Sequence, residues 1–307
     1  MSAPGAAGAI EIAKLAAERE PCGSEASASR HSEAQQVNRR HQLFQAVWFA
    51  VGVLLILSIL AASYSVVWEY STRRYLKGFA DAVVPTSATA EQEVEAILNW
   101  MSSGPARRES GLAAVSEVRD PVETLNYAAF LKVCGSATNA FVNLADSAGL
   151  TARRLLLVDS RQMTKHVVAE VLIDGRWIVV DPTFRVIFRD ASGRTLTRQE
   201  LADPAIFAAA TTGIRGYRPA YAFDRTAHIH LARLGLVGRL LRYALDRLLP
   251  GWDDSATMTL LLERESFAAL VTSMSLCIFL ILLRISLRWY SRRNFGTHPP
   301  FVPKELL

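Results

Sequence analysis

An α+β domain held between two membrane-spanning helices is the fold class this sequence predicts, and three observations predict it. Two long, uncharged apolar runs lie towards the two ends of the chain. Between them, segments of helical periodicity come first and strand-like runs follow, an order that marks α+β rather than alternating βαβ units. A cysteine opens the helix just before the strands, and a histidine and an aspartate sit within them.

The first apolar run, Phe44 to Trp68, carries no charge and is long enough to cross a bilayer as a helix. It is too long, and too far from the N-terminus, for a cleaved signal peptide, so it reads as an uncleaved anchor. The second, Ser266 to Leu283, is shorter but sufficient, with Arg284 placed to snorkel. A soluble core helix of such length would show a polar face, and neither run does.

Basic residues set the orientation. Arg284, Arg288, Arg292 and Arg293 follow the second run, whereas Glu263, Arg264 and Glu265 precede it, which puts the C-terminus in the cytoplasm. The first run is nearly balanced, with Arg39 and Arg40 before it and Arg73, Arg74 and Lys77 after it. With two passes, both termini are then cytoplasmic and the intervening domain faces outward. Abundant Ala and Arg suggest a bacterial chain, for which the site of residence is the inner membrane and outward means periplasmic or extracellular. The net charge of +5 over 307 residues mostly reflects these flanks. No basic patch interleaved with aromatics appears, so nucleic acid is not an expected partner.

The elements follow in order. Residues 1–42, rich in Ala, Ser, Glu and Gln, read as a disordered cytoplasmic tail, and 43–68 as the first transmembrane helix. A linker through Pro85 leads to Thr89-Ala90-Glu91-Gln92, a capping box opening a helix with Val94, Ile97, Leu98 and Met101 at helical spacing. Gly104-Pro105 ends it, and a second helical stretch covers roughly Pro121 to Phe130. Cys134 then opens a helix whose face is Ala137, Phe141, Leu144, Ala145 and Ala148, with Gly149 as its C-terminal cap. Strand-like runs follow at Arg154–Val158, His166–Ile173 and Arg176–Val180, the last two joined by the hairpin signal Asp174-Gly175. Thr197-Arg198-Gln199-Glu200 is another capping box. The domain therefore runs over 69–227. A membrane-proximal amphipathic segment follows over 228–265, then the second transmembrane helix over 266–287 and a basic tail over 288–307. Within 228–265, His230 to Leu249 mixes Arg233, Arg239, Arg242 and Arg247 with leucines, fitting either a helix on the bilayer surface or one packed on the domain. His228 and His230 lack a third ligand at metal spacing and read as solvated or interfacial.

Three cysteines sort by location. Cys22 lies in the tail and Cys277 inside the second apolar run, where it packs as a small polarizable side chain. Cys134 alone faces outward, so it has no internal disulfide partner. At a helix N-terminus its thiol ionises more readily than a free one. A two-residue Asp174-Gly175 turn opposes Ile173 with Arg176, and by the same register Val168 with Asp181 and His166 with Thr183. His166 and Asp181 then share one sheet face as diagonal neighbours. A cysteine nucleophile, a histidine base and an aspartate orienter follow the logic of papain-like enzymes. Each residue alone also has a plain structural reading: a small buried hydrophobe, a strand histidine, a strand-end cap before Pro182.

These residues resemble the transglutaminase-like superfamily. Cys134 with its helix is similar to that family's first motif. Gly149-Leu150-Thr151-Ala152-Arg153 resembles its Gly-x-Pro-Ala-Arg step, and His166-Val167-Val168-Ala169-Glu170 its His-x-Trp-x-Glu motif. Gly175-Arg176-Trp177-Ile178-Val179-Val180-Asp181-Pro182-Thr183 resembles its Gly-x-Trp-x-x-x-Asp-Pro-Thr motif. Lys132 replaces a common Gly and Val168 a common Trp, both expected to shape the approach to the thiol. Glu170 and Trp177 read as support for the fold, Trp177 as core. The resemblance implies a papain-like fold, a peptidase, amidase or acyl transferase working through an acyl-enzyme, and Cys134, His166 and Asp181 as catalytic residues. Asn126 and Tyr127 stand where a second oxyanion donor is usual. No calcium-loop pattern appears, and neither cofactor nor metal is expected. Expected partners are the bilayer and a peptide or protein substrate. The alternative is a catalytically silent binding or scaffold module among envelope or polysaccharide-assembly proteins.

Overall fold

A computed structural model describes residues 24–104, 120–229, 231 and 235–295. Much of the tail expected over 1–42, the positions of His230 and Arg233, and the last residues of the basic tail lie outside the described residues. The chain divides into two compact units, residues 1–59 with 276–307, and residues 60–275.

Two long helices enter both units. Helix α1 spans Ser24–Val83. The last helix of the chain spans Glu265–Phe295. Their stretches Gln42–Val83 and Glu265–Arg293 are long and apolar enough to cross a membrane, and only 22% of the most apolar window of each is buried. A core helix of a soluble protein would be mostly buried, so the exposed Phe49, Leu54, Ile56, Phe279, Leu282 and Ile285 read as a lipid-facing surface. Within the first unit, the Cys277 thiol donates to Ser58 Oγ at 3.1 Å. Arg284, expected to snorkel, instead holds its guanidinium over the Trp48 ring at 4.8 Å. Gly52 makes room for it, since a Cβ there would lie 3.1 Å from the guanidinium.

In the second unit, the stretch before Thr89 is not a linker but helix as far as Val83. Pairs spaced i,i+4 support it, Arg73 with Glu69 at 2.6 Å and Lys77 with Asp81 at 2.7 Å. Its inner face, Leu76 and Ala80, is buried, and Phe79 meets Trp100 edge-on at 4.5 Å. Helix α2 spans Ala90–Ser103 and opens on the expected capping box, with Val94, Ile97, Leu98 and Met101 buried. Helix α3, Pro121–Asn126, and a 3-10 turn, Phe130–Lys132, stand where one stretch was expected. Helix α4 spans Cys134–Ala148, and Gly149 ends it in the left-handed conformation that costs glycine least.

Strands β1 (Ala152–Val158), β2 (Thr164–Ile173), β3 (Arg176–Asp181), β4 (Val186–Ile187) and β5 (Thr226–Ala227) form an antiparallel sheet in the order β4-β3-β2-β1-β5. Ile173 opposes Arg176 across Asp174-Gly175, both at positive φ as a tight hairpin turn needs. One sheet face, with Ala169, Val171, Ile178 and Val180, buries against α2 and α4. The other, with Leu155, Leu157, Val168 and Val179, is covered by Phe188, Leu196, Leu201, Phe207 and Phe223. Short helices α5, Arg198–Leu201, and α6, Pro204–Thr211, supply part of that cover. Helices α7, Gly235–Leu248, and α8, Ala256–Glu263, lead to α9, Glu265–Phe295.

Candidate active site

The geometry begins with the turn before α4. Val133 is extended, provides no side-chain cap, and places Cys134 as the first helical residue. The first backbone N–H groups of a helix have no partner within it, so the half-buried Cys134 thiol lies at the positive end of the helix dipole, with the Gly135 backbone among its hydrogen-bond partners.

His166 comes from β2 and Asp181 from the end of β3, both buried. His166 Nε2 donates to Asp181 Oδ2 at 2.7 Å. The other carboxylate oxygen, Oδ1, accepts from the backbone N–H of Thr183 at 2.9 Å and of Phe184 at 3.1 Å. The Asp-Pro turn thus fixes the carboxylate and leaves one oxygen for the imidazole. The plain reading of Asp181 as a strand-end cap and its reading as an orienter hold together, one oxygen each. With Nε2 occupied, Nδ1 is the nitrogen left for the thiol.

The electrostatics agree. Burial works against an imidazolium at His166, but hydrogen bonds to Asp181 and Cys134 and their charges outweigh it, lifting the pKa from 6.5 to about 9. Burial works against a thiolate at Cys134, yet the hydrogen bond and charge of His166, helped by the backbone of Val167 and Gly135, hold the thiol below its ordinary 9.0. The three residues therefore meet as one constellation.

Around His166 stands an aromatic wall that sequence reasoning missed. Tyr221 stacks on the imidazole at 4.3 Å and 13°, while Phe184 and Tyr217 approach its edge at 5.9 and 6.1 Å. Burial and the Asp181 carboxylate push the Tyr217 hydroxyl well above its usual range, which keeps it neutral. The Tyr217–Tyr221 spacing around Pro219 was the available signal, but nothing local tied it to His166.

Other expectations resolve differently. Val168 is fully buried in the core on the sheet face that His166 also occupies. Lys132 is exposed, two residues before Cys134. Asn126 turns its amide back to Val122 O at 2.9 Å, and the Tyr127 ring packs edge-on against Phe130. Trp177 is half-buried rather than core, with the Arg153 guanidinium 3.8 Å from its ring. His228 is not solvated: its side chain is 3% exposed, with Nε2 2.7 Å from Glu170 and Nδ1 2.8 Å from Asp254. Glu170 also takes Arg153 at 2.8 Å, so this second histidine–carboxylate cluster closes on itself and supports the sheet. Among the described residues, no group of three or more His, Cys, Asp or Glu is arranged to hold a metal ion.

Compared with known families, residues 77–182 match the model of the transglutaminase-like superfamily. The matched stretch ends just past Asp181 and contains Cys134, His166 and Asp181. Comparison with curated proteins and with solved structures found no match.

Proposed function

From the transglutaminase-like domain that this chain carries, we propose a membrane-anchored cysteine enzyme that cleaves or transfers amide groups of peptide or protein substrates through an acyl-enzyme. The observation that carries the reading is His166 held at 2.7 Å by a buried Asp181 while it depresses the Cys134 thiol.

The Cys134 thiolate attacks the substrate carbonyl carbon, forming a C–S bond and placing negative charge on the carbonyl oxygen. That charge develops at the N-terminus of α4, whose dipole favours it. The His166 imidazolium gives its Nδ1 proton to the leaving nitrogen, and the C–N bond breaks to leave a thioester. Neutral His166 then takes a proton from water, or from an acceptor amine, as that group attacks the thioester. The acyl product leaves and the thiolate–imidazolium pair is restored. Asp181 keeps the Nε2 proton in place and the ring oriented throughout. Hydrolysis by water is the first choice for the second step. The two apolar helices hold the domain at the bilayer, on the side opposite both termini.

Alkylation by iodoacetamide between pH 5 and 9 (roughly the span from negligible to substantial ionisation of an ordinary thiol), with peptide mapping to separate Cys134 from Cys22 and Cys277, tests this reading. Cys134 should react readily at mildly acidic pH, and His166→Ala should abolish that advantage. If Cys134 behaves there as an ordinary thiol, the domain is a binding module and not an enzyme.

A further inference from the structure

Helix α7 leaves its apolar side uncovered. Leu236, Leu240 and Leu248 are 64%, 63% and 75% exposed, with Leu241 and Leu249 also open. At 100° per residue, Leu236, Leu240, Leu241, Ala244, Leu245 and Leu248 share one half of the helix, while Arg239, Arg242 and Asp246 occupy the other. Tyr243, 73% exposed, stands at the boundary between the halves, and Arg247 falls just inside the leucine half, between Leu236 and Leu240. Three arginines oppose one aspartate, and that aspartate is engaged: Asp246 accepts from the indole N–H of buried Trp252 at 2.8 Å. The helix is thus pinned at its C-terminal end with its leucines facing away from the protein.

We propose that α7 lies in the headgroup layer of a bilayer containing anionic lipid, its leucines towards the acyl chains and its arginines on the phosphates. Three features select lipid over a protein partner. The exposed half is almost purely aliphatic, without the buried aromatic anchors that centre protein interfaces. Tyr243 stands at its border, where amphipathic side chains meet the polar layer, and Arg247 lies just inside that border, where a long arginine stem can snorkel to the headgroups. Finally, only residues 249–264 separate α7 from α9, whose stretch from Glu265 is of membrane-crossing length, so the same chain brings a bilayer within reach. A large moment with basic residues on the polar side is the signature of an interfacial helix. The inference does not depend on Cys134 chemistry.

The test uses the full chain reconstituted in phosphatidylcholine vesicles with and without phosphatidylglycerol. A photoreactive benzoylphenylalanine is placed at position Leu240 or, as a control, at Arg242. Illumination at Leu240 should give phospholipid mass adducts, several-fold more than at Arg242, and more with phosphatidylglycerol. Replacing Arg239, Arg242 and Arg247 together by Glu should remove the phosphatidylglycerol dependence, and circular dichroism would report whether that variant still folds. Crosslinks to a second copy, crosslinks to the domain itself, or no lipid adduct at Leu240 would each overturn the proposal. A phosphatidylglycerol dependence that persists without the arginines would overturn its anionic part.

Discussion

His166 is bracketed by two groups whose demands agree. Asp181 favours a proton on Nε2, and the Cys134 thiolate favours one on Nδ1, so the ring is held as an imidazolium until its pKa of about 9 is passed. A reaction needing thiolate and imidazolium together therefore rises on the acid side as Cys134 ionises, at a pH below 9.0, and falls as pH climbs through about 9 and His166 loses its proton. Asp181→Asn keeps the size of the side chain but removes its charge. The alkaline limb should then move to lower pH and the acyl-transfer rate fall by about 10²–10⁴-fold. A pH–rate profile of both proteins checks this, and an unmoved alkaline limb would show that Asp181 does not set the His166 pKa. The pairing was legible in the sequence because a two-residue Asp-Gly turn fixes strand register, and register fixes which side chains share a face. The aromatic wall was not, because Tyr217 and Tyr221 reach His166 from a loop no periodicity describes.

At the level of elements, α4 shows why local motifs were easier to read than long-range ones. Its capping glycine and its apolar face, Ala137, Phe141 and Leu144, follow from spacing alone. Its other side buries Asn139 and Asn143, whose partners come from the distant junction of α8 and α9. Asn139 donates to Glu263, whose carboxylate also takes Arg154 at 2.6 Å. Arg264 donates to Asn143 Oδ1 at 2.7 Å, to Asp146 at 2.8 Å, and to Glu69 of α1 at 3.2 Å. Ser266 completes Glu69 at 2.7 Å. The Arg264–Glu69 pair joins residues 195 apart, which no motif announces. The same pairing explains why α1 remains helical beyond its apolar run, where a linker was expected: Glu69 has a buried partner and Leu76 a core to enter. Arg264 is 1% exposed, so Arg264→Ala takes the guanidinium away from buried Glu69 and from Asn143 Oδ1, leaving Glu69 only Arg73 and Ser266. Thermal or denaturant unfolding of the full chain should show a loss of about 3–5 kcal/mol. Arg264→Lys should recover only part of it, because an ammonium cannot reproduce the guanidinium fork. A loss below about 1 kcal/mol would mean that the network is not holding the Cys-bearing helix.

For the whole molecule, the buried network also changes how charge along the chain is counted. The orientation argument set Glu263, Arg264 and Glu265 against Arg284, Arg288, Arg292 and Arg293. Arg264 is neutralised inside the domain by Glu69 and Asp146, so it leaves the count on its side of the span. Arg284 stands over Trp48 within the apolar stretch. Arg288, Arg292 and Arg293 remain as exposed cations after it with none left before it, so the excess of three that the proposed orientation rests on survives the burial of Arg264. On the proposed orientation the domain between the spans lies on the opposite side. Met163, 56% exposed in the turn before β2, offers a position from which to measure this. A Met163→Cys variant should take up a membrane-impermeant maleimide in intact cells, while a fluorescent protein fused after Leu307, which matures in the cytoplasm, should fluoresce. Labelling of position 163 only after lysis would invert the topology, and with it the compartment in which Cys134 meets its substrate.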